Sequence, residues 1–122
     1  MKLLLGIGGS DDSLRALERA VARVAETGDD LTVAILRNPA TETEPEEIER
    51  RAQDVLDDAG VAAPIRHLEG DPGSRLVELA EGEGFDRIVL GGGETSPMGK
   101  IKLGSIAEFV LLNSHVSVTL VR

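Results

Sequence analysis

The chain has 122 residues, 41% hydrophobic and 29% charged, which suits one domain with a two- or three-layer core. Acids outnumber bases 22 to 13, for a formal net charge of -9, and two phenylalanines are the only aromatics; this balance excludes a general nucleic-acid binder, which needs a basic face and stacking rings. Cysteine is absent, which excludes disulfides, thiol nucleophiles and thiolate metal sites and accords with a cytoplasmic address; no window is apolar for long enough to span a membrane.

The opening MKLLLGIGGSDDS carries one lysine and a short apolar run but no small-residue cleavage site, so it reads as a buried strand over 2–7 and not as a secretion signal. Ser10 or Asp11 caps a helix whose Leu14, Leu17, Val21 and Val24 recur at helical spacing, and Gly28 ends it. Residues 31–36 form a second apolar strand. After a polar loop with Pro39, Thr43 is expected to cap a helix through Ala59, with Pro45 in its first turn and Glu46 as the capping-box acid.

Residues 64–68 read as a short third strand, less apolar and nearer the sheet edge. Asp71 and Pro72 start a third helix carrying Leu76, Val77, Leu79 and Ala80. Residues 86–90 are the fourth strand. Ser105 and Glu108 have the spacing of a capping box for a fourth helix through Asn113, and residues 116–121 close the chain as a fifth strand. Strand and helix alternate throughout, the pattern of an α/β doubly wound parallel sheet with helices on both faces.

In such a sheet, ligands bind beyond the carboxyl ends of the strands where the strand order reverses. For the order 3-2-1-4-5 that crevice lies between the first and fourth strands. Its walls are then Ile7, Gly8, Gly9 and Ser10 on one side and the loop holding Gly91, Gly92, Gly93, Gly104 and Ser105 on the other. Glycines expose bare backbone N–H groups, and a helix N-terminus favours an anion, so both glycine clusters point to one anionic ligand.

Three segments, LLLGIGGSDDSLRALERA, EGDPGSRLVELAEGEGFDRIVLGGG and LGSIAEFVLLNSHVSVTLV, together resemble the universal stress protein family over essentially the full length. The middle one, with Gly-Asp-Pro before a helix and then Asp, an apolar strand and glycines, is the most specific. The resemblance implies a five-stranded parallel sheet in order 3-2-1-4-5, of the adenine nucleotide alpha hydrolase-like, flavodoxin-like type. It also implies a homodimer formed through the last strand and, in many members, ATP at the switch point. ATP-binding members carry a GxxG pair followed after nine residues by Gly-Ser or Gly-Thr. Gly91 matches the first glycine, Gly104 the third and Ser105 the hydroxyl, while Glu94 stands at the second. The family's acid after the first strand is also missing, because the chain there reads Ile7, Gly8, Gly9, Ser10.

Glu94 adds a Cβ and a negative charge where a phosphate cradle wants glycine, which opposes a polyphosphate unless a cation such as magnesium intervenes; the alternative is a Glu94 turned to solvent. A Walker-type loop ending at Gly99 and Lys100 is rejected, since it needs glycine at 94 and a hydroxyl at 101, where Glu94 and Ile101 stand. Lys100 and Lys102 either screen a phosphate or are solvated loop residues. His67 and His115 stand outside any metal-ligand spacing, and no GxSxG supports a triad of Ser105, His115 and Asp86. The acids Glu42, Glu44, Glu46, Glu47 and Glu49 suit a solvated loop and a helix start. In the last strand Val116, Val118 and Leu120 alternate with Ser117, Thr119 and Val121, giving an edge suited to pairing with a second copy. The sequence thus leads to a non-catalytic stress-response module with a modified nucleotide pocket. The alternative is an ATP-binding, slowly hydrolysing switch.

Overall fold

A computed structural model describes residues 1–37, 43–91, 94, 95, 101, 102 and 104–121. Along the chain lie β1 (Lys2–Ile7), α1 (Asp11–Thr27), β2 (Asp30–Leu36), α2 (Pro45–Ala59), β3 (Ile65–Leu68) and α3 (Pro72–Gly82). They are followed by β4 (Arg87–Gly91), β5 (Glu94–Thr95), β6 (Ile101–Lys102), α4 (Ser105–Asn113) and β7 (Ser117–Val121). Five strands form one parallel sheet in the order β3-β2-β1-β4-β7, the order expected, with the weakly apolar β3 at one edge.

The continuous apolar run of β1 is explained by burial on both faces. Leu3, Leu5 and Ile7 pack with Leu17 and Val21 of α1 and Ile48 and Leu56 of α2, whereas Leu4 packs on the other face with Leu76 of α3 and Val110 of α4. Leu4, Leu5 and Ile7 are fully buried, each contributing about 2 kcal/mol, so an unbroken apolar strand is favourable only where helices cover both sides. Helices α1 and α2 therefore form one layer and α3 and α4 the other.

The ends of α1 are as expected: the Ser10 hydroxyl accepts from Ser13 N at 3.2 Å, and Gly28 closes the helix in the left-handed region at φ 75°. Asp71 caps α3, accepting from Ser74 N at 3.0 Å, and those Ser74 hydrogen bonds hold its carboxyl below the usual carboxylate range. Two expected caps are corrected. Glu44, not Thr43, is the N-cap of α2, so the helix starts one residue later than expected and Glu46 stands at its second position, short of the box; Glu47, at the third, has its carboxylate on Arg50 at 2.6 Å and Arg51 at 3.2 Å. At α4 the N-cap is Gly104, with extended backbone at φ -70° and ψ 158°. Ser105 is already inside the helix, so its hydroxyl does not cap it and Glu108 falls one position beyond the box.

One feature of the 88–105 segment was not expected from sequence. Glu94 pairs with Lys102, and Thr95 with Ile101, in a two-stranded antiparallel ladder separate from the main sheet. Residues 94–95 and 101–102 thus run antiparallel before α4 begins.

Candidate functional site

Parallel pairing of β1 with β4 fixes the crevice. Gly6 lies opposite Leu90, so Ile7 and Gly91 end their strands side by side at the carboxyl edge of the sheet. Because α1 follows β1 and α4 follows the ladder, the N-termini of both helices lie at that same edge. The donors this places together are backbone N–H groups carrying the positive end of two helix dipoles.

Gly91 is required by close approach. A Cβ there would lie 3.1 Å from the Asp12 carbonyl oxygen and 3.2 Å from its carbon, so any larger residue would require the first turn of α1 to move off the end of β4 by a few tenths of an ångström. Gly8 differs: a Cβ there would meet nothing within 4 Å, and its φ is not positive. The position where the family carries an acid is thus open space beside the crevice.

The loop between β1 and α1 is held by a residue that sequence reasoning missed. Ser13, only 8% exposed, donates its one hydroxyl proton to Gly8 O at 2.6 Å, with Ser10 O at 3.0 Å as a second, shared acceptor, while accepting from Gly8 N at 3.2 Å. It satisfies both backbone groups of Gly8 from inside the fold and leaves the outer side of the loop open. Ser13 stands three residues after the cap at Ser10, and that spacing was its one available signal.

Of the expected site residues, Ile7, Gly8, Gly9, Ser10 and Gly91 come together where β1 and β4 end, with Ile7 itself fully buried in the core. Gly104 and Ser105 open α4 at the same edge, and its N-cap residue, Gly104, makes no side-chain cap hydrogen bond. Gly92, Gly93 and Lys100 lie outside the described residues, and Glu94 and Lys102 are placed by their backbone in the ladder.

The other groups lie elsewhere. The His67 ring contacts the Glu49 carboxylate at 2.6 Å, bridging β3 and α2, and Glu81 accepts the His115 N–H at 3.0 Å. Asp86 accepts from Lys2 N at 2.7 Å before β4 begins, and His115 precedes β7, so both stand at the amino edge of the sheet while Ser105 stands at the carboxyl edge. No triad assembles from them. Among the described residues there is no cluster of three metal-ligating side chains, and no helix is long and apolar enough to cross a membrane.

The whole chain, residues 1–122, matches the model of the universal stress protein family. A universal stress protein of Methanocaldococcus jannaschii is 29% identical over 99% of this chain and 81% of its own length. A universal stress protein from Archaeoglobus fulgidus has the same fold, with a TM-score of 0.77 at 23% identity and coverage of 100% and 98%. A universal stress protein solved in complex with cAMP is 32% identical, with a TM-score of 0.75 and coverage of 99% and 97%. The chain belongs to the universal stress protein family.

Proposed function

We propose that this member of the universal stress protein family is a non-catalytic regulatory module that binds an adenine nucleotide in the crevice between β1 and β4. The observation that carries this is the close approach of Gly91 to the Asp12 carbonyl, which sets the end of β4 against the first turn of α1 at the edge where α1 and α4 begin. A nucleotide there would place its phosphate against the first N–H groups of α4, from Gly104 and Ser105, and against Gly91. Its nucleoside would enter the open space beside Gly8. The 32% identical relative in complex with cAMP supports the same class of ligand.

Two departures favour weak binding. Gly8 supplies no carboxylate for the nucleoside, and Glu94 brings a negative charge to the ladder that follows β4, which disfavours a triphosphate more than a singly charged cyclic phosphate unless magnesium accompanies it. The donor set is backbone N–H and hydroxyl, which suits binding and does not by itself move protons. Calorimetric titration with cAMP and with ATP plus magnesium tests the proposal. Saturable binding of one nucleotide per chain is expected, tighter for cAMP; no heat and no thermal shift with either nucleotide would overturn it.

The same reading includes a homodimer through β7. That strand pairs with β4 on one side only, its residues 118–121 are half-buried, and the neighbouring α4 leaves Leu112 77% exposed. Sedimentation should give a dimer that Leu112→Glu weakens without loss of fold; a monomer at all concentrations would contradict this part.

A further inference from the structure

The face of the sheet under α1 is not covered as far as β7, and a groove of about 560 Å³ opens there, running from Met1 and Asp29 at the amino edge of the sheet to Val121 of β7. Its size is that of small-molecule sites. Leu3, Val89 and Val121, from three adjacent strands, give it an apolar floor. Arg23 of α1 and Arg87 of β4 bring guanidinium groups to it from two different elements.

Those arginines are unusual in this chain. In a chain with 22 acids for 13 bases, Arg15, Arg37, Arg50, Arg51, Arg66 and Arg75 each pair with a carboxylate. Arg87 instead donates to the Thr119 hydroxyl at 2.8 Å, and its Nε is buried without a hydrogen-bond partner among the described residues. Arg23 forms no ion pair among the described residues, although Asp29 feels its charge. The groove's own acids do not fill this role: Asp29 is held by the Met1 ammonium at 3.1 Å and the Thr27 hydroxyl at 2.9 Å, and Glu26 pairs with neither arginine.

From this arrangement we infer a second ligand site, for a small amphipathic carboxylate whose apolar body lies over Leu3, Val89 and Val121 and whose carboxylate meets Arg23 and Arg87. Guanidinium favours this anion because its planar fork matches a carboxylate and it is weakly hydrated. Thr119 holds Arg87 in place and so lowers the ordering cost of binding. The site does not depend on nucleotide binding. A copy paired along the outer edge of β7 would extend the sheet and leave this face open.

The test uses the full chain and three probes: octanoate, octanol and acetate, each titrated by calorimetry with the methyl signals of Leu3, Val89 and Val121 followed by NMR. Octanoate should bind once per chain and shift those methyls, with octanol and acetate each at least about tenfold weaker, the loss expected when a charge-assisted hydrogen bond or the apolar body is removed. Arg87→Gln should weaken octanoate about tenfold, and Arg23→Gln, at an exposed helix position that leaves the fold intact, should weaken it several-fold. Adding ATP should leave octanoate affinity unchanged, which separates this site from the crevice. Equal binding of octanol, equal binding of acetate, competition by ATP, or indifference to Arg23→Gln would each overturn the inference. So would absence of octanoate binding together with concentration-dependent shifts of the three methyls, which would give the groove to a second copy.

Discussion

Replacing Gly91 by alanine tests how the crevice is built. The added Cβ would sit 3.1 Å from the Asp12 carbonyl oxygen, 3.2 Å from its carbon and 3.4 Å from the Ser13 Cα. All three are backbone atoms in the first turn of α1, so no side chain can rotate away. Relief requires the helix start to move off β4 by a few tenths of an ångström. That motion would also strain the Ser13 hydroxyl's bonds to Gly8 and Ser10. Overpacking of this kind costs about 2 kcal/mol, which for a chain of this size lowers the melting temperature by about 8 °C. Gly8→Ala is the matched control, because its Cβ enters open space and its φ suits an L-residue; it should change stability by less than about 0.5 kcal/mol. Urea and thermal unfolding of the two variants beside the parent decide the matter. A Gly91→Ala midpoint equal to the parent's, or an equal loss in Gly8→Ala, would refute the packing argument.

Other outcomes follow from the same geometry. Ser13→Ala removes the one hydroxyl that serves both backbone groups of Gly8 and should cost about 1–2 kcal/mol by urea unfolding, with weaker nucleotide binding; an unchanged midpoint would mean water replaces it. Glu94→Gly should strengthen ATP binding more than cAMP binding in calorimetry, and equal effects would show that charge at this position is not what discriminates. Gly8→Asp should strengthen binding of both nucleotides by supplying the missing acid at a position with room for it. Asp71 has a depressed folded-state carboxyl, so its contribution is present above the unfolded-state value and is lost as pH falls through the lower folded-state one. Asp71→Asn should therefore flatten the acid end of the stability–pH curve, and an identical curve would remove Asp71 as a contributor.

The architecture was legible because its signals are periodic. The LLLGI run marks a strand covered on both sides, the leucine and valine spacing of α1 marks one buried stripe, and Asp-Pro and Gly mark helix ends. The crevice was legible in outline for the same reason: once strand order is known, Gly8 and Gly91 must meet. What each glycine does was not legible. A Cβ at Gly91 would press on the Asp12 backbone, distant in sequence, whereas one at Gly8 would meet nothing within 4 Å, and no local pattern separates the two cases. Capping residues shifted by one because the helix starts did: α2 begins one residue later than a Thr43 cap would require, which leaves Glu46 short of the box position, and α4 begins one residue earlier than a Ser105 cap would require. Ser13 was hidden by its polarity, since a serine in the first turn of a helix reads as solvated unless the loop it binds is known. The ladder of β5 and β6 escaped because two residue pairs leave no period to read.

The central claim, a nucleotide seated between β1 and β4, is tested most directly by amide chemical shifts during a cAMP titration. The account predicts the largest changes at Gly8, Gly91, Gly104 and Ser105, saturating together with one affinity. Shifts confined to other residues, or none at saturating cAMP, would contradict it.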